Sequence, residues 1–162
     1  MMSPIRIVRT NKRYVIDTTT LVSYFHSVFE DATPKISTSA ISIIDQVFKE
    51  DSHYLMVIPS IVFVEIFDIW FRGETSVDEE FRAKFKAEVL RKIQSNPQIE
   101  IKEMDSEVME AFLTLTDPII NLENRDRFVL AAAQTLDATL ITSDRKIKKY
   151  FLKHRNIPAL IT

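Results

Sequence analysis

The alternation of short β-prone runs with longer helical patterns constrains the fold of this chain most strongly. Stretches with helical periodicity separate the β-prone runs. Because neighbouring parallel strands need crossover connections, the alternation predicts an α/β fold: a mainly parallel sheet with helices on both faces. The predicted strands are Arg13–Asp17, Tyr54–Ile58, Ile99–Lys102, Ala138–Thr142 and an edge strand Ile157–Ile161, where Pro158 is tolerable.

The helical stretches begin and end at recognisable signals. Ser60 is a plausible N-cap, Ser76–Glu79 has the capping-box pattern, and Asp105 is placed to cap the helix that follows it. The predicted helices run from Thr18 to before Pro34, from Ser37 to Glu50, from Ser60 to Trp70, from Ser76 to about Ser95, from Asp105 to about Leu115, through the region of Asp126, and from Arg145 to Lys153.

Composition excludes several classes of protein. The chain has 162 residues, 46% of them hydrophobic and 27% charged, which predicts a single soluble domain over residues 1–162. There is no cysteine, so disulfides and thiolate metal sites are excluded. No apolar run is long enough to span a membrane, and no secretory segment is visible at the N-terminus, which predicts a cytoplasmic protein.

Gly73 is the only glycine. Glycine-rich phosphate loops, dinucleotide fingerprints and G-x-S-x-G elbows are therefore absent. The formal net charge of -2 gives no global sign of nucleic-acid binding either. Any catalytic site must use other chemistry.

Four acids occupy unusual positions. Asp17 and Asp144 follow the first and fourth predicted strands, and Glu65 and Asp126 lie within apolar helical stripes. The carboxyl ends of parallel strands meet at one edge of the sheet, where open α/β folds place their ligands. We therefore expect all four carboxylates to converge there.

Converging carboxylates repel one another unless cations hold them together. All-oxygen ligation selects hard ions, so Asp17, Glu65, Asp126 and Asp144 are candidate ligands of Mg²⁺ or Mn²⁺. A metal site of this kind suits hydrolysis of phosphodiester bonds.

Each acid also has a plain structural interpretation. Asp17 and Asp144 are placed to cap the helices that follow them. Asp126 is flanked by Arg125 and Arg127, which favours a structural ion pair, and Glu65 is consistent with the edge of an apolar stripe. The functional interpretation depends on the four occurring together.

Four sequence blocks resemble, in order, the signature blocks of PIN-domain ribonucleases, and most closely those of the VapC-like toxins of toxin–antitoxin pairs. The blocks are Asp17–Leu21, Pro59–Glu65, Arg125–Ala133 and Leu140–Asp144. The resemblance covers residues 14–161. It implies a three-layer α/β/α sandwich and an endoribonuclease that depends on Mg²⁺ or Mn²⁺. It also implies RNA as substrate, an antitoxin as partner, and a homodimer.

Carried over by position, the acidic quartet of the resemblance is Asp17, Glu65, Asp126 and Asp144. Thr142 matches a small hydroxyl residue that would orient a carboxylate or a metal-bound water. Thr18 and Thr19 are expected to support the first acid in the same way.

A basic run follows the fourth acid. Arg145, Lys146, Lys148 and Lys149 are candidate contacts to the RNA backbone, although a solvated helix face explains them equally simply. Arg145 and Lys146 stand where PIN ribonucleases often carry a further acid or Asn. This departure leaves open an alternative function, a catalytically weak PIN-like module that binds RNA or protein.

Overall fold

The architecture is a five-stranded parallel sheet between two layers of helices. The structure is a computed structural model that describes residues 12–30, 33–49, 52–71 and 79–162. The order across the sheet is β3-β2-β1-β4-β5, and every strand pair is parallel. The strands are β1 (Lys12–Ile16), β2 (Tyr54–Pro59), β3 (Ile99–Lys102), β4 (Thr139–Ile141) and β5 (Leu160–Ile161).

The helices follow the strands in the predicted alternation. In chain order they are α1 (Thr18–Glu30), α2 (Thr38–Phe48), α3 (Ser60–Glu65), α4 (Glu79–Lys84), α5 (Leu90–Ser95), α6 (Ser106–Thr114), α7 (Asn124–Thr135) and α8 (Arg145–His154). Two stretches have the wider π-helical winding: Ile66–Phe71 continues α3, and Phe85–Val89 joins α4 to α5.

Side chains that alternate along the strands divide the interior into two cores. Tyr14 and Ile16 of β1 point into the core beneath α1 to α5, whereas Val15 points into the core beneath α6 to α8. All three side chains are almost completely buried. Burying one aliphatic side chain such as Val15 or Ile16 contributes about 1.5–3 kcal/mol, so these cores hold both helical layers against the sheet. The predicted α/β/α sandwich is confirmed.

The register of β1 and β4 brings distant parts of the chain together. The two strands are hydrogen-bonded neighbours, with Ile16 opposite Ile141. Asp17 therefore lies beside Thr142 immediately beyond the sheet, and its backbone N–H donates to the carbonyl of Ile141 at 3.3 Å. The carboxyl edge of the sheet is thus where the first and fourth sequence blocks meet.

Three details differ from the sequence-based expectations. Ser60 is not an N-cap: the helix begins at Ser60 itself, Pro59 precedes it, and no side chain caps it. Proline has no hydroxyl or carboxylate to accept a hydrogen bond from the first turn. The last strand is limited to Leu160–Ile161, because Pro158 cannot donate to a ladder. The predicted capping box Ser76–Glu79 lies largely outside the described residues.

In the described ranges, no helix combines the length and apolar character that a membrane crossing needs.

Candidate active site

All four predicted acids line one pocket at the carboxyl edge of the sheet. The pocket has a volume of about 160 Å³. It is lined by Asp17, Thr18, Thr19, Glu65, Glu123, Arg125, Asp126, Val129, Asp144, Lys146 and Ile147. The convergence expected from the strand order is therefore observed, although the chain positions of the acids span residues 17 to 144.

Asp17 is the most deeply placed of the four, with 6% of its surface exposed. It is also the N-cap of α1, because its Oδ1 accepts the backbone N–H of Thr20 at 2.8 Å. Its Oδ2 accepts the hydroxyl of Thr142, which is buried beside it. Burial, together with the charge of Asp144, raises the pKa of Asp17 to about 6, although the hydrogen bonds from Thr142 and Thr20 act in the opposite direction.

Thr142 connects Asp17 to Asp144. Its hydroxyl donates to Asp17 and accepts the backbone N–H of Asp144 at 3.0 Å. Asp144 in turn caps α8, since its Oδ1 accepts the backbone N–H groups of Lys146 and Ile147 at 2.7 and 3.0 Å. The capping interpretation of Asp17 and Asp144 is correct, and it coexists with their position in the pocket.

Asp126 occupies the first turn of α7. Its Oδ2 accepts the backbone N–H of Glu123 at 3.1 Å, which fixes the carboxylate at the start of the helix. Burial, together with the charges of Asp144 and Glu123, raises the pKa of Asp126 to about 6, although the hydrogen bond from the backbone of Glu123 acts in the opposite direction. Asp126 makes no ion pair with Arg125 or Arg127 among the pairs seen in the described ranges, so the structural interpretation proposed for it is wrong.

Arg125 pairs with two other acids instead. Its Nη1 lies 3.1 Å from Glu65 Oε1, and its Nη2 lies 2.5 Å from Glu123 Oε2. Both terminal nitrogens of the guanidinium therefore contact acids other than Asp126. The hydroxyl of Thr18 donates to the other oxygen of Glu65 at 2.6 Å. The carboxylate of Glu65 is therefore fixed by an ion pair and a hydrogen bond, and Glu65 is not merely a residue at the edge of an apolar helical stripe.

Two pocket residues escaped the analysis of the sequence. Glu123 is a fifth acid at the rim, and Arg125 is a cation between two acids. Glu123 stands three residues before Asp126, which is the spacing of a capping box. That spacing is the one feature of the sequence that could have indicated a role for Glu123. The ion pairs of Arg125 with Glu65 and Glu123 could be recognised only from the structure.

The predicted supporting threonines differ in their roles. Thr18 and Thr142 each donate to an acid of the quartet. Thr19 lies on the pocket wall and is exposed, with no side-chain hydrogen bond to the quartet among the described residues. A residue one position along a helix faces away from its neighbour's partner, which explains the difference.

The predicted RNA contacts all lie on α8. Lys146 lines the pocket, and its Nζ lies 3.4 Å from Glu123 Oε1. Arg145, Lys148 and Lys149 are exposed on the same helix. At the C-terminal end of α8 the basic side chains contact an acid instead: Lys153 and His154 lie 2.6 and 2.7 Å from Asp117.

The donor set fits a hard divalent cation by its chemistry. Asp144 raises the pKa of both Asp17 and Asp126, so these three charges oppose one another in a partly buried space. A cation with preference for oxygen relieves that repulsion. In the part of the chain that the structure describes, however, no three His, Cys, Asp or Glu side chains are already gathered as ligands of one ion. The fit is one of charge and donor type.

Comparison with known proteins gives consistent results. The sequence matches the PIN domain family over residues 14–151. A search of curated protein sequences returned no significant match. The fold is similar to the crystal structure of VapBC2 from Rickettsia felis bound to a DNA fragment from their promoter, with a TM-score of 0.60 and 18% identity, covering 91% of this chain and 96% of that one.

A second similar structure is FitAcB from Neisseria gonorrhoeae. Its TM-score is 0.59 at 12% identity, covering 92% of this chain and 96% of that one. At these identities the two structures support the fold, while the sequence match extends over most of the chain.

Proposed function

Because this chain belongs to the PIN domain family, we propose that it is an endoribonuclease that hydrolyses RNA phosphodiester bonds with Mg²⁺ or Mn²⁺. The observation that carries the proposal is the meeting of Asp17, Glu65, Asp126 and Asp144 around one pocket. A cluster of acids that the fold draws together against their mutual repulsion is expected where a cation binds.

The four carboxylates would have different roles, according to where they lie in the pocket. Asp17, Asp126 and Asp144 would hold the ion, since Asp144 acts electrostatically on both of the others. When bound, a divalent cation lowers the pKa of a coordinated water and stabilises charge on the phosphate. Glu65, held by Thr18 and Arg125, would orient that water or a second ion from the rim.

We propose in addition that the protein is the toxin of a toxin–antitoxin pair, with a cognate antitoxin as partner and a homodimer as its assembly. The four sequence blocks and the fold shared with VapBC2 support this assignment. Co-expression with the protein encoded by the adjoining reading frame, followed by size-exclusion chromatography with light scattering, tests both the partner and the stoichiometry.

The nuclease proposal is tested by cleavage of a labelled RNA with and without Mn²⁺. We expect Asp17→Asn and Asp144→Asn to reduce Mn²⁺-dependent cleavage by about 100-fold or more, because each removes a charge from the cation site. Asp137→Asn is the matched control: it also removes one carboxylate, lies outside the pocket, and Asn tolerates the positive φ of 49° found there. Calorimetry should show Mn²⁺ binding to the wild type and weaker binding to Asp17→Asn. Intact cleavage by either site variant would refute the proposal.

One observation favours a second candidate, a catalytically weak module that binds RNA or protein. Arg145 and Lys146 follow Asp144, and no three acids in the described ranges are already grouped as ligands. This candidate predicts RNA binding that neither EDTA nor Asp17→Asn alters, together with no cleavage.

A further inference from the structure

The rim of the pocket holds an anion between two cations. The two carboxylate oxygens of Glu123 each contact a different basic side chain: Oε2 lies 2.5 Å from Arg125 Nη2, and Oε1 lies 3.4 Å from Lys146 Nζ. The cations come from the first turns of different helices, α7 and α8. All three residues line the same pocket as the acidic quartet.

Arg125 is oriented from the other side. Its Nη1 contacts Glu65, whose side chain is only 18% exposed and also accepts from Thr18. Its Nη2 points to Glu123, whose side chain is 50% exposed. The guanidinium is therefore fixed by its inner contact and presents its outer edge at the mouth of the pocket.

Both ion pairs of Glu123 are exposed to solvent. Exposed ion pairs contribute about 0–1 kcal/mol, because water screens them and two long side chains must be ordered. Lys146 is 51% exposed, so its pair with Glu123 belongs to this class. An incoming anion with more charge and more acceptor oxygens can replace the carboxylate at little cost.

We propose that Arg125 and Lys146 form a phosphate-binding subsite, in which the Glu123 carboxylate occupies the anion position until a phosphodiester of the substrate displaces it. Two non-bridging oxygens of a phosphodiester match the arrangement of one carboxylate oxygen for each cation. The inference deepens the proposed function and rests on it, because the subsite opens onto the same pocket as Asp17, Asp126 and Asp144.

Binding is measured separately from cleavage. The probe is a short fluorescein-labelled single-stranded RNA, titrated in EDTA at low salt and followed by fluorescence anisotropy. Glu123→Gln should tighten binding by about fivefold, the equivalent of losing a competing pair of about 1 kcal/mol. Arg125→Gln should weaken binding and lower the slope of log K against log salt by about 0.7, as expected for one lost phosphate contact to a single strand.

A double variant distinguishes displacement from a general gain of positive charge. In an Arg125→Gln, Lys146→Gln background, adding Glu123→Gln should no longer tighten binding, because no subsite remains for the phosphate to enter. Glu100→Gln on β3 is the control with the same charge change outside the pocket, and its affinity should match the wild type.

A DNA oligonucleotide of the same sequence should show the same ratio, since phosphate contacts carry no information about the sugar. Equal affinities of wild type and Glu123→Gln, tightening that persists without the two cations, or an effect confined to RNA would overturn the inference. Loss of Mn²⁺-dependent activity bears on the nuclease proposal alone, because every arm here is measured in EDTA.

Discussion

At the scale of single residues, Thr142 links the two strand-end acids. Its hydroxyl is buried, donates to Asp17 and accepts from the backbone of Asp144. One hydroxyl thus sets the relative position of two carboxylates that approach from different parts of the chain. Groups that orient metal ligands from behind typically change metal affinity by about 10–100-fold when they are removed.

Thr142→Val should therefore weaken Mn²⁺ binding by about tenfold and reduce cleavage correspondingly. Valine fills nearly the same volume, so the change removes the two hydrogen bonds without opening a cavity. Isothermal titration calorimetry gives the affinity. Thr139→Val on β4, three residues before Thr142, is the matched control, since Thr139 is also buried and its side chain has no hydrogen bond in the described ranges. Equal effects of the two substitutions would contradict the positioning role.

The sequence predicted which acids meet at the pocket but not how they are held. Asp17 and Asp144 could be found because strand ends share an edge, and Asp126 because its helical stripe is otherwise apolar. The pairing of Arg125 with Glu65 could not be found, because it joins residues 60 positions apart in sequence, whose approach depends on how α3 packs against α7.

At the scale of secondary-structure elements, α8 presents its basic side chains in two ways. Lys146 faces the pocket and Lys153 contacts Asp117, whereas Lys148 and Lys149 are exposed. The Lys153 and His154 contacts hold the pKa of Asp117 well below its usual range, so the C-terminal end of α8 is committed to the loop before α7. Lys148 and Lys149 are thus the candidate contacts to the phosphate backbone of the proposed RNA substrate.

Replacing Lys148 and Lys149 together by Gln should weaken RNA binding at low salt and reduce the salt slope by about 1.4, or about 0.7 for each lost contact. Affinity measured across a salt series gives that slope. The matched control replaces Arg91 and Lys92 by Gln: the charge change is the same, but these residues lie on α5, in the layer beneath the other face of the sheet. A reduction of equal size in the control would show that only net charge acts.

The starts of helices were predicted correctly where the N-cap residue has a side chain that accepts a hydrogen bond. Ser37, Asp105 and Asp144 each accept backbone N–H groups at the starts of α2, α6 and α8. Ser60 is not a cap because the helix starts at Ser60 itself, one residue earlier than a cap at Ser60 would require, with Pro59 before it. The π-helical windings after α3 and α4 have no signature in the helical periodicity, since they shift it by about one residue.

At the scale of the whole molecule, two carboxylates of the pocket link stability to pH. The pKa values of Asp17 and Asp126 are raised from 3.8 to about 6. A group whose folded-state pKa is raised favours the folded state most when protonated. Its contribution is complete below pH 3.8 and is lost as the pH rises through about 6.

Without divalent cations, the free energy of unfolding should fall between about pH 5 and about pH 7.5, by on the order of 1–2 kcal/mol from these two groups. Denaturant titrations in EDTA measure it, and the Asp17→Asn, Asp126→Asn double variant cancels every other titrating group in the comparison. Mn²⁺ should raise the melting temperature more at the higher pH, where both carboxylates are ionised. The same pH dependence in wild type and double variant would contradict the burial of these charges.

The layered fold was predictable because strand and helix periods alternate regularly, and the number of domains stays a prediction. The sequence did not predict the ion pairs at the rim of the pocket, in which Glu123 contacts both Arg125 and Lys146. Their arrangement depends on the spacing between α7 and α8, which the packing of both helices on the sheet determines.

The pairing of β4 directly against β1 has a consequence for the chain during its synthesis. Asp17 leaves the ribosome about 125 residues before its hydroxyl partner Thr142, and Asp144 follows Thr142. A nascent chain that does not yet include Asp144 cannot close the pocket. The proposed cleavage of RNA would therefore begin only after Asp144 has been synthesised and has folded into place.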